Sequence, residues 1–402
     1  MIFSHDAVKI RKDFPMLSKP LIYFDNACMS LKPKQVIDKM NEYYNDYTAC
    51  AGRSSHRLAG KVEEEVDKSR MELAYFVNSK SASEIIFTRN TTEGINLVAN
   101  SIEWKRGDEV VISDKEHNSN LIPWLKLGKK GVKAVVVKSN ADNTFNLDNF
   151  IKSLSKKTKL VSMVYTSNLD GVSNPMKDIA RIAHEKNALV LCDAAQAVPS
   201  MEIDVKGLDV DFLAFSGHKM LGPTGTGVLY GKKEILEKME QFIVGGETVI
   251  DSTYSRYTAE ELPMKFEAGL QDYAGIIGLG EACRYLKKVG MKKISKHETK
   301  LNRIITERLM KHKNISLIGP ADYEKRNGIF SFNIKGMNPH NVSKVLESSK
   351  SIMTRSGAHC VHSWFNDRKI DGSARASVYF YNTEEEATVF ADEVEKIVKA
   401  FN

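Results

Sequence analysis

The sequence predicts an α/β protein with a large, mainly parallel mixed sheet flanked by helices and a smaller α+β domain at its C-terminal end. From about residue 21 to 231, short apolar runs alternate with amphipathic stretches of helical period. Beyond a long helical pattern at 273–289, the segment 294–402 has the pattern of a helix, strands and closing helices. Strand–helix alternation is typical of a parallel sheet whose two faces are both covered.

Each candidate strand of the large sheet is a short apolar run bounded by polar residues or glycine. In chain order these runs are 84–88, 109–113, 132–138, 160–166, 188–193, 212–216 and 227–231. The helical patterns between them include 92–101, 147–154 and 176–186. Ligands of such sheets bind beyond the carboxyl ends of the strands, so we expect the functional residues at that edge.

The C-terminal part contains a predicted helix at 294–311, strands at 328–334 and 374–379, and a helix at 383–401. A chain of 402 residues is long enough for two hydrophobic cores. We therefore divide it into a large domain, 19–284, that binds the cofactor inferred below and a small C-terminal domain, 285–402. Residues 1–18 are expected to pack on the small domain.

The composition is that of an ordinary globular protein, with 42% hydrophobic and 27% charged residues and a net charge of +7. The lysine clusters do not interleave with aromatic residues, so we expect solvated faces rather than nucleic-acid binding. No apolar stretch reaches membrane-spanning length, and the N-terminus lacks the pattern of a secretory signal. Five scattered cysteines without a C-x-x-C pair indicate a reducing compartment. We expect a cytoplasmic protein that makes no membrane contact.

The most informative stretch is Ser216-Gly217-His218-Lys219. One apolar run ends at Asp193, and the next delivers Lys219 on a short polar turn, which brings a carboxylate and an amine to one edge of the sheet. A pyridine-ring cofactor held as a lysine imine needs both groups, because the amine forms the imine and the acid keeps the ring nitrogen protonated. A single lysine is more often a solvated surface charge, but the run of motifs favours a cofactor lysine.

Two further motifs fall at the same edge. Thr91-Thr92-Glu93-Gly94 follows a strand and opens a helix, where backbone N–H groups and hydroxyls attract phosphate; the alternative is a simple capping box. His117 follows strand 109–113 and is a candidate catalytic residue that would stack on an aromatic cofactor and exchange protons, unless it is only a polar surface residue. The glycines of 222–227 have the wrong spacing for a dinucleotide fingerprint, and we interpret them as a turn that enters a strand.

The second decisive feature is Arg355-Ser356-Gly357-Ala358-His359-Cys360, interpreted as an exposed, glycine-flanked loop that carries a reactive thiol between basic side chains. Arg375 follows fifteen residues after Cys360, and a buried arginine near a site commonly binds a carboxylate. The alternatives are an inert core cysteine and structural arginines. A metal site built from His359, Cys360 and His362 is a third interpretation, but no partner ligand cluster is visible elsewhere, so we expect no metal.

With these residues assembled, the chain resembles the class V aminotransferase family of fold-type I pyridoxal-phosphate (PLP) enzymes. Within that family it is most similar to the group II cysteine desulfurases, with selenocysteine lyases as close relatives. The resemblance runs nearly end to end, and Thr91-Thr92-Glu93, 216–219, Phe266-Glu267-Ala268-Gly269 and the arginine–cysteine loop carry it. The short span from Arg355 to Arg375 resembles group II.

The resemblance implies a role for each matching residue. Lys219 would be the Schiff-base lysine and Asp193 the partner of the pyridine nitrogen, while Cys360 would be the sulfur nucleophile. The other implied roles are a donor to the phenolic oxygen for Gln196, ring stacking for His117, phosphate binding for Thr91, Thr92, Ser216 and His218, and substrate binding near the carboxylate for Asn168, Arg355 and Arg375.

The implied activity is conversion of L-cysteine to L-alanine by a PLP enzyme that captures sulfur as a persulfide on Cys360. An acceptor protein, either an iron–sulfur scaffold or a carrier, would then receive the sulfur, and the family implies a homodimer. Arg355 and His359 are the expected cations that favour the thiolate of Cys360. The alternatives are a selenocysteine lyase, another class V PLP enzyme such as a transaminase, and a non-catalytic sulfur-transfer scaffold.

The sequence departs from the family pattern at four places. Leu270 stands where a threonine usually contacts phosphate across the dimer interface, and neighbouring Gln271 is a candidate to replace it. Ala358 and Gly52 each replace a histidine. Cys28 follows Asp25-Asn26-Ala27 where alanine is common, and it inherits no role from the family.

Overall fold

The computed structural model describes residues 6–401. Its strands are β1 Ile22–Tyr23, β2 Ile85–Thr88, β3 Glu109–Ser113, β4 Lys133–Val137, β5 Thr158–Val164, β6 Leu189–Asp193, β7 Phe212–Ser216, β8 Gly227–Gly231, β9 Val249–Ser252, β10 Tyr257–Ala259, β11 Ile315–Ile318, β12 Ile329–Ile334, β13 Ile352–Met353, β14 Arg355–Gly357 and β15 Ser373–Ser377. Its α-helices are α1 Ala7–Ile10, α2 Lys34–Asp46, α3 Arg57–Phe76, α4 Thr91–Ser101, α5 Asn118–Lys126, α6 Leu147–Ser153, α7 Met176–His184, α8 Ala197–Ser200, α9 Val205–Leu208, α10 Lys233–Leu236, α11 Tyr273–Val289, α12 Met291–Leu309, α13 Pro339–Lys350, α14 His362–Arg368 and α15 Glu384–Ala400.

The large sheet has seven strands in the order β2-β8-β7-β6-β5-β3-β4. Strand β8 runs antiparallel to its neighbours β2 and β7, and the remaining pairs are parallel. The predicted α/β class with a large, mainly parallel mixed sheet is therefore confirmed. Each of its strands overlaps one of the predicted apolar runs, because a strand buried on both faces is apolar along its whole length.

Strand β7 shows why both faces of this sheet are apolar. Leu213 and Phe215 belong to one buried cluster, whereas Phe212 and Ala214 belong to another. Side chains alternate between the two faces of a strand, so each face has its own core. Helices α2, α3, α7 and α11 contribute to the first cluster, and α4 and α5 contribute to the second.

A second sheet forms around the C-terminal part of the chain. Its order is β11-β12-β15-β14, and all its pairs are antiparallel. Helices α12, α13 and α15 pack with it around a separate buried cluster that includes Phe332 and Phe390. The predicted site residues come from both sheets. The packing of the two sheets against each other therefore determines where these side chains lie.

The N-terminal segment packs against residues near the other end of the chain. Arg11 forms an ion pair with Glu386 at 2.8 Å, and Phe14 packs on Tyr381 with ring centroids 4.6 Å apart. Strand β1 then pairs in parallel with β13. Residues 1–5 of the segment predicted to pack there, 1–18, lie outside the described residues.

Local sequence signals explain where the C-terminal helices begin and end. Gly290 has a φ of +94°, a conformation that glycine adopts at little cost, and it separates α11 from α12. At α15, the side chain of Thr383 accepts from the backbone N–H of Glu386, and the Glu386 side chain accepts in return from that of Thr383. This reciprocal pair is a capping box, which satisfies backbone donors at the helix start.

No helix within residues 6–401 combines the length and the apolar content that a membrane crossing requires.

A buried ion pair joins α3 to the segment before α11. Arg70 donates from Nη1 and Nη2 to the two carboxylate oxygens of Glu267, at 2.6 and 2.8 Å. Glu267 also accepts from the backbone N–H of Phe87 at 2.7 Å, and the guanidinium lies 4.3 Å from the Phe87 ring. Both charged side chains are almost fully buried. Removal of one partner would leave the other charge buried and unpaired.

We predict that Glu267→Ala lowers the free energy of unfolding by about 3–5 kcal/mol, the usual cost of breaking a buried pair. Denaturant unfolding followed by circular dichroism measures the change. The matched control is Lys34→Ala, because the pair of Lys34 with Asp38 is exposed; that variant should change by less than about 1 kcal/mol. Equal midpoints for Glu267→Ala and wild type would contradict the structural importance of the buried pair.

Candidate active site

The parallel pairing of β6 with β7 places two functional groups at one edge of the large sheet. Asp193 is the last residue of β6 and lies opposite Ala214 of β7. Lys219 ends the short 3₁₀ turn that follows β7. Because parallel neighbours end at the same edge, the carboxylate and the amine face one region beyond the strands.

A cavity of about 230 Å³ lies at this edge. The structure brings every site residue predicted from the sequence to its wall, although their roles remain predictions. These residues are Thr91, Thr92, His117, Asn168, Asp193, Gln196, Ser216, His218, Lys219, Arg355, Cys360 and Arg375. Residues from the large sheet and from the second sheet therefore meet in a single cavity.

Burial moves both Asp193 and Lys219 toward their neutral forms. Burial lowers the pKa of Lys219, and the nearby charge of Asp193 acts in the opposite direction. Burial also raises the pKa of Asp193, although the backbone N–H of Ala195 donates to its carboxylate at 3.0 Å. A lysine with a lowered pKa supplies more of the free amine that forms an imine. A cationic ring nitrogen near Asp193 would restore the carboxylate.

The N-terminus of α4 forms one end of the cavity. Asn90 caps this helix by accepting from the backbone N–H of Glu93 at 3.0 Å. The simple capping-box alternative is wrong, because the Glu93 carboxylate accepts from the backbone N–H of Arg89 and not from that of the cap residue. The hydroxyls of Thr91 and Thr92 are therefore not used to cap the helix.

Hydroxyl groups surround this helix start. Thr92 Oγ1 lies 2.7 Å from Ser119 Oγ, and Thr91 Oγ1 lies 2.6 Å from Ser216 Oγ. A helix N-terminus with several hydroxyls is suited to a phosphate group. Sequence reasoning missed Ser119, although its position two residues after His117 at the start of α5 was a usable signal.

His117 is a neutral ring on the cavity wall. It caps α5, because its Nδ1 accepts from the backbone N–H of Ser119 at 3.1 Å. Burial, reinforced by the positive charge of Lys219, lowers its pKa to about 3. The ring therefore presents a flat, uncharged face, which suits stacking on an aromatic cofactor.

The antiparallel pairing of β14 with β15 places Arg355 directly opposite Arg375. Arg375 is almost fully buried and donates to the backbone oxygen of Asn168 at 2.8 Å. Among the described residues its Nε has no hydrogen-bond partner. Arg375 also lies 3.5 Å from the carboxylate of Asp25, and a buried arginine on the cavity wall suits a carboxylate ligand.

Two expectations about the arginine–cysteine loop are wrong. Arg355–Gly357 is a strand rather than an exposed loop, because it pairs with β15. His359 is only 4% exposed, and burial lowers its pKa to about 2, so it is not a cation that favours the thiolate of Cys360. Its Nε2 instead lies 2.9 Å from the hydroxyl of Ser373.

Cys360 itself occupies an unusual backbone conformation. His359 and Cys360 have φ angles of +49° and +60°, the left-handed region that residues other than glycine rarely adopt. Two such residues in succession turn the chain sharply after β14, and Cys360 lines the cavity. Strained backbone of this kind concentrates at functional sites.

The polar groups around the cavity fit PLP. The start of α4 offers donors for a phosphate, Asp193 offers an acceptor for a ring nitrogen, and Lys219 offers an amine for a carbonyl. Gln196 donates from Nε2 to the backbone oxygen of Ala27 at 2.6 Å, which leaves one amide hydrogen for a ring oxygen. Among residues 6–401, no group of three or more His, Cys, Asp or Glu side chains is arranged to hold a metal ion.

Comparisons with known proteins agree with this geometry. A family model described as aminotransferase class-V matches residues 22–390. A probable cysteine desulfurase from Halalkalibacterium halodurans is 41% identical over 98% of this chain and 99% of that protein, and one from Pyrococcus abyssi is 42% identical over 97% of each. The solved apo structure of a cysteine desulfurase from Thermococcus onnurineus has a TM-score of 0.94 and 38% identity, and covers 98% of both chains.

We predict that His117 and His359 stay neutral between pH 8 and pH 5, since burial holds their pKa values at about 3 and about 2. Their ring signals in ¹H–¹³C NMR spectra, assigned with His117→Gln and His359→Gln, should not shift over that range. The control is His184, whose pKa is raised by its hydrogen bond to Asp211 and which should titrate.

The same two histidines destabilise the folded protein in acid. The unfolded chain binds their protons near the ordinary value of 6.5, whereas the folded chain does not. The free energy of unfolding therefore falls as the pH drops from 6.5 toward 3. A ring signal of His117 that titrates with a midpoint near its ordinary value would contradict this description of the cavity.

Proposed function

The chain belongs to the class V aminotransferase family, and we propose that it is a PLP-dependent cysteine desulfurase, which converts L-cysteine to L-alanine. The observation that carries this proposal is the single cavity shared by Lys219, Asp193 and Cys360. Relatives that are named cysteine desulfurases and match nearly the full length of the chain support it.

Residues of the large sheet would hold the cofactor. Lys219 would supply the amine for its carbonyl group, and Asp193 the carboxylate for its ring nitrogen. The remaining contacts would be His117 with the ring, Gln196 with the phenolic oxygen, and Thr91, Thr92, Ser216 and His218 with the phosphate. When bound, the cofactor supplies an electron sink for the pair left behind when the Cα proton of the substrate departs.

The second sheet would orient the substrate. Arg375 and Arg355 are the cations that bind the substrate carboxylate, with Asn168 beside them. Lys219 would be the base that removes the Cα proton of the substrate, because burial lowers the pKa of its amine. Asp193 would be an anion when a cationic ring nitrogen lies next to it.

Cys360 would be the sulfur acceptor. Its Sγ attacks the substrate sulfur, so a new S–S bond forms while the Cβ–S bond breaks, and the electron pair of that bond stays with the carbon fragment. The products are alanine and a persulfide on Cys360. Because His359 is neutral, Arg355 is the remaining cation of this segment that can favour the thiolate.

We extend this proposal to the surroundings of the enzyme. The sulfur passes to an acceptor protein, an iron–sulfur scaffold or carrier, in the cytoplasm.

A homodimer is supported by the exposed apolar side chains Ile250 and Tyr254 around the β9–β10 hairpin, and by Leu270, which is 63% exposed. The division at 284/285 assigns Lys219 and Asp193 to the large domain and Arg355, Cys360 and Arg375 to the small one.

Cys360→Ser should abolish alanine formation from L-cysteine, by on the order of a thousand-fold or more, because a hydroxyl cannot form the persulfide. The variant should keep the visible absorbance of bound PLP. Alanine release in a coupled assay measures the effect, and Cys50→Ser is the matched control because Cys50 is a free thiol of similar exposure. Alanine formation at the wild-type rate would show that Cys360 is not the nucleophile. Activity retained on selenocysteine alone would indicate a selenocysteine lyase.

Lys219→Ala should remove covalent attachment of the cofactor. Borohydride reduction of the wild-type protein should fix PLP to the peptide that contains Lys219, and mass spectrometry identifies that peptide. In Lys219→Ala no peptide should carry the label, and alanine formation should fall by on the order of a thousand-fold or more. The control variant is Lys32→Ala, because Lys32 is a nearby lysine whose pKa burial also lowers. Label on another lysine of the wild-type protein would refute the assignment.

A further inference from the structure

The five cysteines differ in how far they are available for chemistry. Cys192 and Cys283 are buried, and burial raises the pKa of both thiols. Cys28, Cys50 and Cys360 are partly exposed. Among the described residues, the thiols that line the active-site cavity are those of Cys28 and Cys360. The cavity therefore contains a second thiol to which the proposed mechanism gives no role.

Cys28 is held in place on the turn that follows β1. Its backbone N–H donates to the backbone oxygen of Asp25 at 3.1 Å, and the hydroxyl of Tyr23 donates to the backbone oxygen of Met29 at 2.9 Å. Arg355 donates from Nη1 to Cys28 Sγ at 2.7 Å. This contact fixes the position of the Cys28 sulfur beside a guanidinium on the cavity wall.

The thiols of Cys28 and Cys360 both lie close enough to Lys219 to affect the pKa of its amine. Burial is the main cause of the lowered pKa of Lys219, and the nearby thiols of Cys28 and Cys360 both oppose it, as Asp193 does. The two sulfur atoms thus lie within electrostatic range of Lys219. Arg355 and Arg375 line the same cavity, so its wall carries positive charge.

We propose that Cys28 is a second sulfur acceptor, which takes the outer sulfur atom from the persulfide of Cys360. This inference rests on the proposed function. Cys28 Sγ attacks the outer sulfur, the S–S bond to Cys360 breaks, and a new S–S bond to Cys28 forms. The proton of the Cys28 thiol passes to Cys360, which becomes a thiol again. No oxidant or reductant is needed, because one persulfide replaces another.

The exchange changes the number of sulfur atoms that one protomer can hold. Once Cys360 is free again, it accepts sulfur from a second molecule of L-cysteine, so one protomer stores two sulfur atoms before any acceptor protein arrives. Arg355 then stabilises the anionic persulfide on Cys28 through the contact that it makes with the thiol. If Cys28 served only to position Arg355, it would carry no sulfur.

The experiment uses the PLP-loaded enzyme with L-cysteine only slightly above two equivalents per protomer, because free L-cysteine is a thiol that reduces persulfides. No other reductant and no acceptor protein are present. The alanine released per protomer is counted, and persulfides are alkylated and mapped to peptides by mass spectrometry. Wild type should release two equivalents and carry sulfur on Cys360 first and on Cys28 later. Cys28→Ser should stop at one equivalent, with sulfur on Cys360 alone. Cys50→Ser should match wild type, since Cys50 is the remaining partly exposed thiol.

Several outcomes would overturn the proposal. Release of only one equivalent of alanine by the wild-type protein would contradict it. Release of two equivalents with both sulfur atoms mapped to Cys360 would contradict it as well. Sulfur on Cys28 in Cys360→Ser would mean direct capture from the substrate, not transfer from Cys360. The wild-type peptide map decides the question even if Cys28→Ser fails to fold. Failure of the proposed function is distinguishable, because Cys360→Ser would then still release alanine.

Discussion

The parallel pairing of β6 with β7 is the constraint on which the site depends. Neighbouring parallel strands must end at one edge, and this places Asp193 and Lys219 beyond the same end of the sheet. The helix that starts at Thr91 opens at that edge too, because β2 runs parallel to β7 through their shared antiparallel neighbour β8. The second sheet then supplies Arg355 and Arg375 from paired strands. The chemistry follows from this meeting of two sheet edges.

Burial decides the charge state of the groups in the cavity. His117, His218 and His359 are kept neutral because burial lowers their pKa values to about 3, about 4 and about 2. The positive charges on the wall are therefore mainly those of Arg355 and Arg375. In the proposed function, one end of this cavity holds a phosphate, the other holds a carboxylate, and the neutral imidazole of His117 lies against the ring.

Much of the fold could be predicted because a sheet buried on both faces leaves continuous apolar runs, as in Phe212–Ser216. The antiparallel direction of strand Gly227–Gly231 could not be predicted, because the direction of a strand depends on the connection that precedes it and not on its own apolar residues. Several of the predicted site residues could be assigned to one edge from the sequence because they follow a strand or open a helix, whereas Arg355 and Arg375 lie within strands. The neutral state of His359 depends on burial in the folded protein, which no local sequence pattern reveals. The contact between Arg355 and Cys28 joins residues 327 positions apart, so it too has no local signal.

The central claim is that the amine of Lys219 and the thiol of Cys360 act on one ring in one cavity. A crystal structure of the protein reconstituted with PLP tests it most directly. The account predicts electron density that is continuous from Lys219 Nζ to the cofactor, with the ring nitrogen within hydrogen-bond distance of Asp193 and Cys360 Sγ facing the same cavity. A cofactor bound elsewhere, or a cavity closed between Lys219 and Cys360, would contradict it.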